Sequence, residues 1–392
     1  MTRTLPLDLP EPLQPPPAYA ELRAEAPVAA VTTADGRPAW LVTSYDAVAA
    51  VLGDPRFGVA APGTGGEGGA TLLQDGEPHS RLRRLVGKAF TPRRVEALRP
   101  RVEELAAELA AGVEDTGPPA DLVADFAAPL SIGVIAELLG VVPTDRERFR
   151  ALADAASRAD FVAGAAEAGV QQAWAEFGAY VAGLVAAKRG SLGDDLLSAL
   201  ITVRDTDDGR LDDAELTTLA LTVLASGYLT ATNAIAVGAT LLVTEGRFAK
   251  VGIAPPDELA ATVEEVARMQ IGLIGEVFPR WAHADVELAG VRIRAGDLVL
   301  ARLGAAARDP EHFADPDRFD PGRFQREVDR QLAFGRGPHH CLGAALARLE
   351  LGVALAALSR QLPDLRLVGS VHDIEWVRAH ADTGPVAVHV TW

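Results

Sequence analysis

The chain has 392 residues and one cysteine, Cys341, set in the decapeptide FGRGPHHCLG at 334–343. Three chemistries could use such a sulfur. As a nucleophile it would need a base, and His339 and His340 are adjacent. But side chains neighbouring along a chain rarely meet as nucleophile and base, and no third orienting group accompanies them. As a zinc ligand it would need more soft partners than one cysteine supplies. As a small buried hydrophobe it would need no special neighbours at all.

The neighbours are special. Gly335, Gly337 and Gly343 let the backbone wrap closely and approach a flat group without Cβ collisions. Leu342, Leu346, Leu349 and Val353 then repeat at helical spacing, so the sulfur is expected near a helix N-terminus. The dipole and the free amides there stabilise a thiolate. A thiolate in a dry, amide-lined turn suits the axial position of haem iron.

Other residues with chemical potential are spread along the chain. His79 and Arg83, at i and i+4, share a helix face beside the apolar stripe Leu82, Leu85, Val86 and Ala89. Glu265 and Arg268, at i and i+3, can pair on one helix. Arg280 lies in FPRWA. Ala225-Ser-Gly-Tyr-Leu-Thr230 interrupts an otherwise apolar helix with Gly227 and the Thr230 alcohol.

The arrangement F-G-x-G-x-H-x-C-x-G at Phe334, Gly335, Gly337, His339, Cys341 and Gly343 resembles the signature of the cytochrome P450 family. Glu265-Val-Ala-Arg268 and FADPDRFDPGRF (313–324) fall in the order expected of it, and the resemblance spans nearly the whole chain. It implies that Cys341 ligates the iron of heme b and that His79, Arg83, Arg280 and His339 hold the propionates, four donors for two carboxylates. Phe334 and Gly227 would border the cofactor, and Thr230 would assist oxygen activation. Electrons would come from NAD(P)H through a ferredoxin reductase and a ferredoxin. The family's A-G-x-(D/E)-T reads differently here: Leu229 replaces the acid that helps deliver protons. Four readings of that change stand: delivery through Thr230 and water or the substrate, relay by an unrelated residue while Leu229 only shapes the pocket, use of peroxide, and oxidative coupling in place of hydroxylation. A haem-binding module that no longer turns over and a cysteine-nucleophile hydrolase are the rivals from other classes.

The elements that would position these residues are mostly helical. Val28–Val31 and Ala39–Val42 flank the turn-rich ADGRP and predict a hairpin. A helix is expected from Pro78, another over Val95–Val113, and more over Leu130–Leu139, Phe149–Ala156, Ala173–Lys188 and Asp194–Val203. Asp212–Thr244 predicts a helix of roughly 30 residues with an aspartate cap. Asp257 is expected to cap the helix carrying Glu265. Val286–Ala301, with two Ala-Gly turns, predicts short antiparallel strands. The fold expected is mostly α with a minor antiparallel β part, a cytochrome P450 fold in a single domain over 1–392, its first twenty residues an irregular arm.

Net charge is −17, which disfavours nucleic acid and anionic membrane as partners. Against it, 79–94 carries six Lys and Arg and no acid, and 323–348 is arginine-rich. By the resemblance, these runs face an acidic electron donor. The single cysteine fits a reducing compartment, and no uninterrupted apolar window long enough to span a bilayer is evident, so a soluble cytoplasmic protein is expected. The ligand pocket, sketched on the family's pattern, would include the Gly-rich loop before Thr71, the region near Phe161–Val170, Tyr228, Leu229, Ile271–Phe278 with Ile274, and the turn at Ala379–Thr383. Its composition suggests a medium-sized, largely apolar ligand with a few polar groups. The excess of Ala and the scarcity of Lys suggest a GC-rich bacterial genome and, by association, the tailoring of a natural product in secondary metabolism.

Overall fold

The computed structural model describes residues 3–63, 72–157, 168–206, 211–274, 276, 279–326, 331–378 and 383–392. The Gly-rich loop at 64–71, Phe161, and the expected pocket turn at 379–382 lie outside them.

Helices make the body. Asp213–Thr244 runs 32 residues, about 48 Å at 1.5 Å per residue. Its start is fixed by sequence: the Asp212 side chain accepts from Glu215 N–H while Glu215 accepts from Asp212 N–H, a reciprocal capping box. The helix packs on Ala128–Leu139, on Ala344–Gln361 and on Pro256–Gln270. Leu219, Leu224, Ile235, Ala236, Leu241 and Leu242 enter one large core with Leu82, Phe126, Phe177 and Leu355.

Several boundaries differ from the sequence expectation. The helix carrying His79 is Gly76–Ala89, starting two residues before Pro78, which occupies its first turn where proline lacks only an unneeded N–H. The run expected over Val95–Val113 is two helices, Pro92–Ala97 and Arg99–Thr116, divided where Pro100 opens the second. Pro255, not Asp257, is the N-cap residue of Pro256–Gln270, and Asp257 sits in the first turn. Within the expected N-terminal arm, Arg3–Thr4 forms a strand and Ala18–Glu25 starts as a helix at its end.

The hairpin forms as Val28–Thr32 against Pro38–Val42. It belongs to a six-stranded sheet ordered Arg3–Thr4, Val28–Thr32, Pro38–Val42, Leu298–Ala301, Arg280–Ala282, Phe57–Gly58. That sheet is mixed, not purely antiparallel: Arg3–Thr4 pairs in parallel with the hairpin, and Trp40, Leu41 and Val42 lie in parallel register with Val299, Leu300 and Ala301. Parallel pairing demands a long crossover, and here the helices from Tyr45–Gly53 to Pro256–Gln270 lie between the two strands. Val286–Leu288 and Val291–Ile293 pair antiparallel as expected.

Two helical segments, Leu122–Leu139 and Asp213–Thr244, are long and apolar enough to cross a membrane, contrary to the sequence expectation that no window is. Both contribute heavily to the core. An interior helix of a large domain is apolar for the same reason a spanning one is: it is surrounded by side chains instead of water.

Candidate active site

The cysteine loop is shaped by backbone demands that few residues meet. Gly335 and Gly337 have φ of +73° and +74°, a region costly for L side chains. A Cβ on Gly337 would lie 2.3 Å from the Leu52 carbonyl oxygen, so contact with the end of the helix Tyr45–Gly53 requires glycine there as well. Cys341 N–H donates to the Phe334 carbonyl at 2.8 Å and His340 N–H to the Gly337 carbonyl at 3.0 Å, folding the loop back on itself. The helix Ala344–Gln361 begins three residues after the sulfur, and Leu342, expected at its start, precedes it. Phe334 lies under the Arg348 guanidinium, 4.1 Å from ring centroid to Cζ, and Arg348 is paired with Glu264.

The thiol is accessible at the loop surface, yet its pKa is raised. Burial by surrounding protein pushes it up, against the Gly343 N–H and the charges of Arg83 and Arg348, which act the other way. The Gly343 N–H acts in the direction expected of an amide-lined turn, and desolvation outweighs it. A bound metal would take the place of that proton on sulfur.

Four sequence-predicted donors come together. His79 and His339 stack with centroids 4.1 Å apart. His339 Nε2 meets Asp75 Oδ1 at 2.9 Å. Arg280, 4% exposed in its strand, has its cation disfavoured by burial and favoured by the Asp75 charge. Arg83 donates to the His340 carbonyl at 2.6 Å, so it braces the cysteine loop directly. Asp75, which the sequence reading missed, organises the group. It also accepts from Val59 N–H at 3.1 Å and Ala60 N–H at 2.9 Å; burial would raise its pKa, but these amides and His339 together hold it below the usual carboxylate range. Asp75 stands at the N-cap of Gly76–Ala89, a position that by sequence announces a cap and not this contact; its side chain makes no capping bond.

The donor set fits a dicarboxylate cofactor. Two permanent cations and two imidazoles surround one carboxylate, leaving positive potential for further carboxylates. Among the described residues no group of three or more His, Cys, Asp and Glu could hold a bare metal ion.

Burial pushes the His79 ring from its ordinary 6.5 down to about 4, with His339 and Arg83 adding to the effect and Asp75 opposing it. In that window the unfolded chain binds the proton that the folded chain refuses, so this contribution to stability is complete above 6.5 and is lost as pH falls towards 4. His79→Gln is expected to flatten part of the acid-side decline in melting temperature of the cofactor-free protein. An unchanged decline would show that His79 does not govern it.

Glu265 and Arg268, both wholly buried, pair bidentately at 2.8 Å. Arg268 also donates to the carbonyls of Ala307 at 2.6 Å and Pro316 at 2.8 Å. Arg323 joins at 3.2 Å, a third member that the sequence reading did not include. Asp320 N–H donates to Glu265 at 2.8 Å, so this carboxylate ties the 313–324 segment to the helix.

On the long helix, Thr230 donates its hydroxyl to the Ser226 carbonyl at 2.5 Å. Gly227 allows close helix packing: a Cβ there would meet Ile135 Cδ1 at 2.8 Å. Tyr228, expected in the ligand pocket, is 4% exposed and packs in the helical core; at 100° per residue it faces away from Ser226 and Thr230. Leu229 and Ile274 are partly buried against that core. Of the basic runs, Arg81 pairs with Glu215, and Arg323 and Arg348 are paired internally, while Arg84, Arg93 and Arg336 are exposed.

The profile of the cytochrome P450 family matches residues 259–361. A mycinamicin IV hydroxylase/epoxidase from Micromonospora griseorubida is 43% identical over 383 residues, covering 95% of this chain and 94% of that protein. The cytochrome P450 monooxygenase PikC of Streptomyces venezuelae is 41% identical, covering 96% and 91%. Among solved structures, a variant of the mixed-function P450 MycG in complex with mycinamicin IV superposes with a TM-score of 0.89 at 41% identity, covering both chains fully.

Proposed function

Because this chain belongs to the cytochrome P450 family, we propose that it is a monooxygenase that tailors a medium-sized, largely apolar natural product, by hydroxylation or by oxidative coupling. The family carries heme b and draws electrons from a redox partner; when bound, the cofactor supplies the oxygen chemistry. What the chain's own residues contribute can be assigned. Cys341 presents sulfur from a loop whose glycines and backbone bonds fix its direction. Arg83, Arg280, His79 and His339 hold the carboxylates, with Asp75 fixing the His339 ring. Arg83 serves both ends, since its bond to His340 links the carboxylate holders to the cysteine loop. Thr230 holds and passes a proton at Oγ1. Leu229 cannot, so water or a neighbouring hydroxyl must stand in.

The observation that carries the reading is the convergence of the cysteine loop with a four-donor, Asp75-centred cluster. Arg84, Arg93 and Arg336 offer positive charge for an acidic ferredoxin as the electron donor, and a cytoplasmic setting accords with the single cysteine. The relatives named for acting on mycinamicin IV and on 6-deoxyerythronolide B make macrolide-type polyketides the first substrate class to try.

The test is an absorption titration of the purified holoenzyme, with and without reductant and carbon monoxide, against polyketides, aromatic cyclic dipeptides and terpenoids. A thiolate-type carbon monoxide band with a spin shift for one class is the expected result. Lack of the band overturns the reading. A band with no turnover of any compound that shifts the spectrum leaves a silent haem module.

A further inference from the structure

The long helix carries a column of hydroxyls. Thr222 donates to the Thr218 carbonyl at 2.7 Å, Ser226 to the Thr222 carbonyl at 2.6 Å, and Thr230 to the Ser226 carbonyl at 2.5 Å. Residues four apart share a helix face, so these side chains form one line. Ser226 is exposed in it, with Thr222 and Thr230 half-buried on either side, while Tyr228 and Thr232 face the core.

Against the motif A-G-x-(D/E)-T, whose Gly is Gly227 and whose Thr is Thr230, this chain makes two changes. The acid has become Leu229 and the alanine has become Ser226. A proton-carrying group is lost at one position, and a hydroxyl appears one turn before Thr230. We propose that Ser226 is a positioning residue for proton delivery, holding the water that hands protons to Thr230 Oγ1 in place of the missing acid. The proposal rests on the monooxygenase reading above.

The geometry supports it in three ways. Four residues of helix rise about 6 Å, a gap that one water making two hydrogen bonds of about 2.8 Å bridges. Each hydroxyl in the column spends its hydrogen on a carbonyl, which leaves its oxygen lone pairs to accept from water. Hydroxyl hydrogens also rotate freely, so each group can give one proton forward and take one from the water behind, ending unchanged. Leu229 offers neither lone pair nor proton. Exposure of Ser226 lets water reach the column. A purely local role, satisfying its own hydroxyl against the preceding turn, would not need the residue to sit in line with Thr230.

The test uses the holoenzyme and carbon monoxide as the probe. The infrared C–O stretch of the reduced complex reports a hydrogen-bond donor beside the ligand, independently of turnover. Ser226→Ala is expected to shift that band and to remove its response to deuterium oxide; Ser226→Thr is expected to retain both. Alanine is the better helix former, so the fold is retained. In reductant-driven turnover in air, Ser226→Ala is expected to raise the ratio of peroxide to other products by at least about tenfold, less than the roughly 10²–10⁴-fold of a group that transfers the proton itself, because Ser226 acts through water. Adding Leu229→Glu to Ser226→Ala is expected to bring the ratio back. A band unmoved by Ser226→Ala, or a peroxide yield that Leu229→Glu does not restore, overturns the proposal while leaving the thiolate band intact. A thiolate band absent from the unaltered protein overturns the monooxygenase reading, and this proposal with it.

Discussion

Cys341→Ser is expected to abolish the thiolate-type carbon monoxide band and to reduce turnover by more than about a hundredfold. The magnitude follows from comparison: removing a mere outer-shell partner of a metal ligand costs roughly 10–100-fold, and here the ligand itself goes. The substitution isolates electronics from architecture. The backbone bond from residue 341 to the Phe334 carbonyl, the positive φ of Gly335 and Gly337, and the Arg83 bond to His340 all involve atoms that serine leaves in place. A serine oxygen is harder and far less acidic than sulfur, so it does not give up its proton to the metal under the same conditions. The variant should fold with a melting temperature near that of the unaltered cofactor-free protein. Absorption spectra of the reduced protein under carbon monoxide decide the matter. An unchanged band would show that another residue is the ligand. A colourless unaltered protein whose activity is lost only in Cys341→Ser would instead mark a cysteine nucleophile.

The largest stability effect is expected at Glu265. Its carboxylate is wholly buried and faces two guanidiniums, those of Arg268 and Arg323. Arg308 lies in the same neighbourhood, its own pKa pushed down to about 10 by burial and then by the Arg268 charge. Glu265→Ala would leave Arg268 and Arg323 buried without their shared carboxylate, beside Arg308, whose carboxylate partner is Asp317. Breaking a buried pair by deleting one partner costs about 3–5 kcal/mol, and this position should lie at the upper part of that range. Urea unfolding should show it as a lower midpoint at unchanged slope. Glu265→Gln keeps the volume and one acceptor for Asp320 N–H, so its loss should be smaller. Arg323→Ala should be milder still, because the Arg268–Glu265 pair survives it. The carbon monoxide band of folded Glu265→Ala holoenzyme should be unaltered, since this cluster acts by bracing the chain and not by touching the sulfur. A loss below about 1 kcal/mol, the level of an exposed ion pair, would refute the bracing role.

What the sequence alone determined here is what depends on near neighbours. The cysteine loop is ten consecutive residues, and its glycines declare their turns. The Glu265–Arg268 pair is one helical step. Asp212 and Glu215 cap the long helix within three residues. The apolar spacing that placed Leu82, Leu85 and Val86 inside needed only the helical period. Resemblance then carried the rest of the predicted donors, and the fold brought His79, Arg83, Arg280 and His339 together.

Tertiary structure alone decided the matters that turn on distant partners and on burial. Asp75 meets His339 across 264 residues of chain, and no local pattern announces that an aspartate ahead of a helix will bond to a cysteine loop and not cap its own helix. Arg323 reaches Glu265 across 58 residues. The parallel register joins Trp40 to Val299, residues far apart in the chain with many helices between them. Tyr228 turned inward because the helices packed around it claimed that face, which the local order of residues leaves open. The sulfur's raised pKa is the same kind of result. Helix dipole and amides are local and were legible, whereas the desolvation that outweighs them is a sum over every atom the fold packs around one side chain.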